Sequence, residues 1–88
     1  MRGAITRPIL GLITAGTSWS QQGRAWCATL ADGQQAMVWR SRAGILWMYG
    51  AESGVSDRES AVETCRWLAL LARDRSFAAE REEARHAV

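Results

Sequence analysis

Lysine is absent from this chain, and all 11 of its basic residues are arginine. A basic set made only of guanidinium groups reflects either the base composition of the source genome or a use for bidentate contacts that an ammonium cannot make. Proline occurs once, at Pro8, and histidine once, at His86. Cysteine occurs twice, at Cys27 and Cys65. Two thiols so far apart, with one imidazole near the C-terminus, do not make the four-ligand set of a zinc site, so no metal is expected. The thiols read as reduced and inert.

The catalytic repertoire is equally thin. No serine or cysteine has a histidine placed to act as its base, and the carboxylates gather in the C-terminal half, where solvation is the expected state. There is no glycine-rich phosphate loop, no internal repeat and no run of residues resembling a family motif. Neither an enzyme nor a cofactor is expected. No stretch approaches the roughly 18 apolar residues of a membrane-spanning helix. Arg2 and Arg7 precede an apolar stretch from Ile9 to Ala15, but Pro8 and Gly11 interrupt it, a poor match to a signal peptide. The sequence therefore predicts a cytoplasmic protein without membrane contact.

What is present is the composition of a folded domain: 88 residues, 48% hydrophobic and 23% charged. That length holds one hydrophobic core, so residues 1–88 read as a single domain. Five tryptophans against one tyrosine and one phenylalanine should dominate the core, each ring burying on the order of 200 Å². Charge is divided unevenly. Residues 1–50 carry Arg2, Arg7, Arg24, Arg40 and Arg42 against Asp32 alone, a net +4, while residues 51–88 hold six arginines against eight acids, a net −2. Such a division can favour an anionic partner at one face, within the limits set by salt screening.

The strongest local signal lies between Arg24 and Ser41, where two strand-like runs flank Asp32–Gly33, a dipeptide suited to a tight hairpin turn. A two-residue loop there would pair Ala31 with Gln34 and Trp26 with Trp39. Arg42-Ala43-Gly44 reads as a three-residue loop, pairing Ser41 with Ile45 and Trp39 with Trp47. Trp26, Trp39 and Trp47 then form a ladder on one face, flanked by Ala28, Leu30, Met37 and Tyr49. The opposite face would carry Ala25, Cys27, Thr29, Ala36, Val38, Arg40, Leu46 and Met48.

Strands are expected at about 8–14, 24–31, 34–41 and 45–50, with Gly16 to Gly23 a polar loop carrying Trp19. Ser56-Asp57-Arg58-Glu59 matches a capping box and predicts a helix over about 57–75. Its stripe of Ala61, Val62, Cys65, Leu68, Ala69 and Ala72 should dock on the tryptophan face. Trp67, Leu70 and Leu71 lie beside or outside that stripe, and residues 76–88 should extend as a solvated helical tail. The fold class is α+β: a three- or four-stranded antiparallel meander on one C-terminal helix.

With no chemistry to anchor, two kinds of binding remain. In the first, the domain binds another protein or a second copy of itself through the uncovered sheet face (Val38, Leu46, Met48) or the Trp67 side of the helix, with Arg24, Arg40 and Arg42 contributing. Small lone domains of this type are frequent among inhibitors and adaptors of phages and mobile elements, anti-CRISPR proteins included. That is a prior from size. In the second, the basic sheet half binds nucleic acid, Arg24, Arg40 and Arg42 on phosphates and an exposed Trp19 stacked on a base. The net charge of only +2 favours the first.

Overall fold

The computed structural model describes residues 11–86, with side chains over 12–82. Six strands follow one another: β1 (Gly11–Thr14), β2 (Thr17–Gln22), β3 (Ala25–Thr29), β4 (Gln35–Ser41), β5 (Gly44–Tyr49) and β6 (Glu52–Ser56). Each pairs antiparallel with the next, in the spatial order β1-β2-β3-β4-β5-β6, and one helix, α1 (Ala61–His86), completes the chain. The α+β class and the meander agree with the sequence, but the strand count exceeds the expected three or four. The part of the first expected strand before Gly11 lies outside the described residues.

Both additional strands were hidden by composition. Thr17–Gln22 is polar enough to read as a loop, yet it alternates, with Thr17 and Trp19 buried on one side and Ser18 exposed on the other. The turn before it has Ala15 at φ 47° and Gly16 at φ 81°, the double positive φ of a type I′ turn. Glu52–Ser56 follows a two-residue turn in which Gly50 takes φ 59°. Gly54 in this strand lies under Trp47; a Cβ there would stand 3.1 Å from the indole ring.

The register of β4 differs from expectation by one residue at each edge. Leu30 N–H donates to the Gln34 carbonyl (2.8 Å) and Gly33 N–H to the Leu30 carbonyl (2.9 Å), which makes the loop three residues long. Asp32 supports it by accepting the Gln34 N–H at 3.1 Å, and Gly33 sits at φ 85°. Trp26 therefore pairs with Val38 rather than Trp39. The next turn is two residues long, Ser41 pairing with Gly44, so Trp39 meets Leu46 and Val38 meets Trp47. The two slips cancel beyond β4. Strands β3 and β5 keep the expected faces, and only β4 is turned over, exchanging Met37 and Trp39 for Ala36, Val38 and Arg40. The reason is steric: Val38, fully buried between Trp26 and Trp47, leaves room for a helix where a third indole would not.

The helix starts one box later than the sequence suggested. Ser60 accepts the Glu63 N–H on its hydroxyl at 3.1 Å, and its carbonyl accepts the Thr64 N–H at 3.1 Å. Ser60-Ala61-Val62-Glu63 is thus the capping sequence in use. Ser56 ends β6 and accepts the Arg58 N–H at 3.0 Å, holding the connecting turn. Cys65, Leu68, Ala69 and Ala72 are fully buried as the stripe required, while Val62 is half exposed. Thr64 is also fully buried, its hydroxyl 2.8 Å from the Ser56 hydroxyl and 3.0 Å from the Ser60 carbonyl. The small stripe lets β1, β4 and β5 all approach the helix. From Phe77 onward the described helix side chains are exposed, in line with the expected solvated tail.

Candidate functional site

One side of the sheet packs under α1. Leu12, Thr14, Thr17, Trp19, Trp26, Ala28, Ala36, Val38, Ile45, Trp47 and Tyr49 point there. Two expectations fail on this side. Trp19 is 1% exposed, and its indole N–H donates to Thr14 Oγ1 at 3.1 Å, so it offers no stacking surface. Val38 is a core residue and contacts no outside partner.

The other side has no helix over it. In register across it run Ser20, Cys27, Met37, Met48 and Ser53, and beside them Gln22, Ala25, Trp39, Leu46 and Val55. Met37 and Met48 are exposed, Val55 is 59% exposed, and Cys27, Trp39 and Leu46 are half-buried by their neighbours. Every described residue on this side of the six strands is uncharged. Apolar side chains hold the middle of β3 to β5 and Val55 of β6, Ile13 projects from β1, and Ser18, Ser20 and Gln22 make β2 polar. Leu46 and Met48 were anticipated here. Met37 and Trp39 were missed through the β4 register, and Val55 through the unrecognised β6.

The three arginines singled out in the sequence share one end of the sheet. Arg24 lies in the β2–β3 turn, Arg42 in the β4–β5 turn and Arg40 near the end of β4, all at one end of the sheet. All three are exposed, and none has an ion-pair partner among the described residues. Arg40 points to the helix side rather than joining Leu46 and Met48. Arg58 also lies beyond this end, bonded to Asp57 at 3.0 Å and stacked 4.6 Å above the Trp67 ring. Trp67 is half-buried, meeting Trp47 edge to face at 5.2 Å between centroids, so it is mostly an internal contact.

The opposite end carries a polar clamp. Tyr49 OH donates to the Asp32 carboxylate, Arg75 lies 4.9 Å over the Tyr49 ring, and Arg75 Nη1 bonds Glu52 at 2.7 Å. Burial and the Asp32 carboxylate together raise the Tyr49 phenol above its ordinary value of 10.0. The Arg75 guanidinium holds the Glu52 carboxyl below 4.5. The clamp ties the β3–β4 loop and β6 to the helix, a structural task.

Neither thiol is placed for chemistry. Cys65, fully enclosed, has its thiol pushed up to about 12 by burial. Cys27 belongs to the uncovered side and Cys65 to the covered side, so the sheet separates them and both are free. No group of three or more potential metal ligands comes together among the described residues. No helix among them is long and apolar enough to cross a membrane. Comparison with protein-family models, curated proteins and solved structures finds no match to this chain.

Proposed function

We propose that this domain is a non-catalytic protein-binding module whose contact surface is the uncovered side of the sheet. The observation that carries this reading is the uncharged apolar strip of Cys27, Met37, Trp39, Leu46, Met48 and Val55. A contiguous apolar strip left in water raises the free energy of the monomer, and a partner surface relieves it. Methionine suits the role, because its flexible thioether adapts to different contours. A surface without charge repels neither a second copy nor a neutral patch on another protein. A small inhibitor or adaptor of the kind carried by phages and mobile elements, anti-CRISPR proteins among them, fits the length of 88 residues.

The test compares the native chain with a Met37→Glu/Met48→Glu variant in sedimentation and as bait in its host, with and without nuclease. Self-association lost in the variant assigns the strip to a second copy. A captured protein that survives nuclease and is lost in the variant assigns it to a different chain. A monomer that captures nothing in a Met48-dependent way would sink the reading.

One observation favours a second reading: the unpaired cluster of Arg24, Arg40 and Arg42 at one sheet end suits phosphates. If nucleic acid were the ligand, Arg40→Ala/Arg42→Ala should flatten log affinity against log salt by roughly 0.9 per lost contact on duplex DNA. A mobility shift at about 150 mM salt, abolished by that change, would replace the first reading with this one.

A further inference from the structure

A second surface lies apart from the sheet face and does not depend on it. Between the outer edge of β1 and the flank of α1 runs a groove lined by Leu12, Ile13, Val62 and Leu70, with Arg66 and Arg73 along its helix side. Val62 and Leu70 are exposed and Leu12, on the helix side of β1, is half-buried, whereas Ile13, 76% exposed, turns its side chain to the other side of the strand. On the helix, Val62, Arg66, Leu70, Arg73 and Phe77 follow spacings of three and four residues and form one stripe. Arg66 and Arg73 have no ion-pair partner among the described residues, although Glu63 is one turn away from Arg66. Beside them, β1 is the terminal strand of the sheet. No described segment pairs with its outer edge.

These features make three demands on one ligand. An open strand edge takes the main chain of an extended segment, by hydrogen bonds that do not depend on its sequence. The apolar floor takes alternate side chains of such a segment, because a strand directs every second residue to the same side. Two unpaired guanidinium groups about seven residues apart on a helix, roughly 10 Å, take carboxylates interspersed with the apolar side chains at those same helix-facing positions. A nucleic acid would use the arginines but gain nothing from the strand edge. A neutral strand would leave both cations unmatched.

We infer that the groove binds an extended, acidic and apolar peptide segment of another protein as a seventh strand on β1. Arg66 and Arg73 select its carboxylates, and Leu12, Val62 and Leu70 receive its apolar side chains. The domain then has two separate contact surfaces, one uncharged and one selective for acidic strands.

The test titrates the full chain with three labelled ten-residue peptides: one with serine at the odd positions and valine and glutamate taking turns at the even ones, so that both face the helix; one with glutamine in place of each glutamate; and the first peptide N-methylated at every second residue. Binding is read by fluorescence anisotropy and by amide shifts of β1. The valine–glutamate peptide should bind below about 1 mM, at least tenfold more tightly than the glutamine peptide, and shift the Gly11–Thr14 amides. Arg66→Glu and Arg73→Glu, both at exposed positions, should each weaken it tenfold or more with circular dichroism and melting unchanged. Val62→Asp should do the same if either arginine variant fails to fold. N-methylation should abolish binding. Equal binding of the acidic and neutral peptides, indifference to N-methylation, or no binding at all would overturn the inference. So would a single-stranded oligonucleotide that binds more tightly than the acidic peptide through the same arginines.

Discussion

The two sides of this sheet are made by the same strands, yet they obey different rules. Under the helix, side chains are chosen for size: Ala36 and Val38 are small where Trp26 and Trp47 are large, and Trp19 and Thr14 satisfy each other's polar atoms. On the uncovered side, size is loosely controlled and charge is strictly absent among the described residues. Burial explains the first pattern. Solubility alone would not produce the second, since charged residues are the inexpensive choice on an exposed strand face. The proposed partner-binding role of the uncovered side rests on this contrast.

The largest difference between the sides should be kinetic. Cys65 should react with a thiol reagent only when the protein opens, ~4 orders of magnitude slower than an exposed thiol if opening costs about 5 kcal/mol. Cys27 should react first, and more slowly at high protein concentration if a second copy covers its face. Mass spectrometry of time-resolved labelling reads both, and Cys65 modified before Cys27 would break the comparison.

Next in size is a pair of truncations. Leu68→Ala, beneath the helix, should lose about 3 kcal/mol in urea melts, whereas Met48→Ala, on the open side, should lose less than about 1. Equal losses would mean that the open side is already packed within the monomer.

Tyr49→Phe should cost about 2 kcal/mol, because the lost hydrogen bond runs to a carboxylate. The phenol also sets an alkaline limit. Its pKa in the fold is raised above 10.0, so its contribution is complete below pH 10 and fades as pH climbs through the raised value. Melting temperature should therefore fall above pH 10 in the native chain and fall less in Tyr49→Phe. A parallel decline in both would remove Tyr49 from the account.

The smallest effect avoids both sides. Ala15→Asn should raise stability by about 0.5 kcal/mol, since asparagine tolerates the positive φ that Ala15 adopts. No change in denaturant midpoint would count against the type I′ assignment.

How far the sequence could be read depended on the kind of signal. The Asp32–Gly33 turn announced a hairpin, but one residue of loop length decides which side of β4 faces the helix. Asp32 settled that length through its bonds to the Gln34 amide and to Tyr49, a residue 17 positions away. Two serines, Ser56 and Ser60, each precede a glutamate by three residues, so the capping pattern alone could not choose between them. Packing chose Ser60, because Ser56 was already part of β6. Trp19 was misread because its neighbours are polar, although Thr17-Ser18-Trp19-Ser20 held the period-two alternation of a strand. At the candidate interface, Leu46 and Met48 were legible from β5 alone. Trp39 and Met37 required the register.

Finally, the meander has a temporal consequence. Each strand is hydrogen-bonded to the one that follows it in the chain, so no strand pairing waits for a distant segment to diffuse back. Sheets of this connectivity have low contact order for β proteins, and their transition states need little loop closure. Hairpins can form and zip in succession from whichever turn closes first, with helix docking as the step that fixes the ensemble. Refolding should complete within milliseconds, faster than is usual for a sheet of six strands. A nascent chain that zips so readily gives its uncharged face little time to meet unfolded neighbours before the core is sealed.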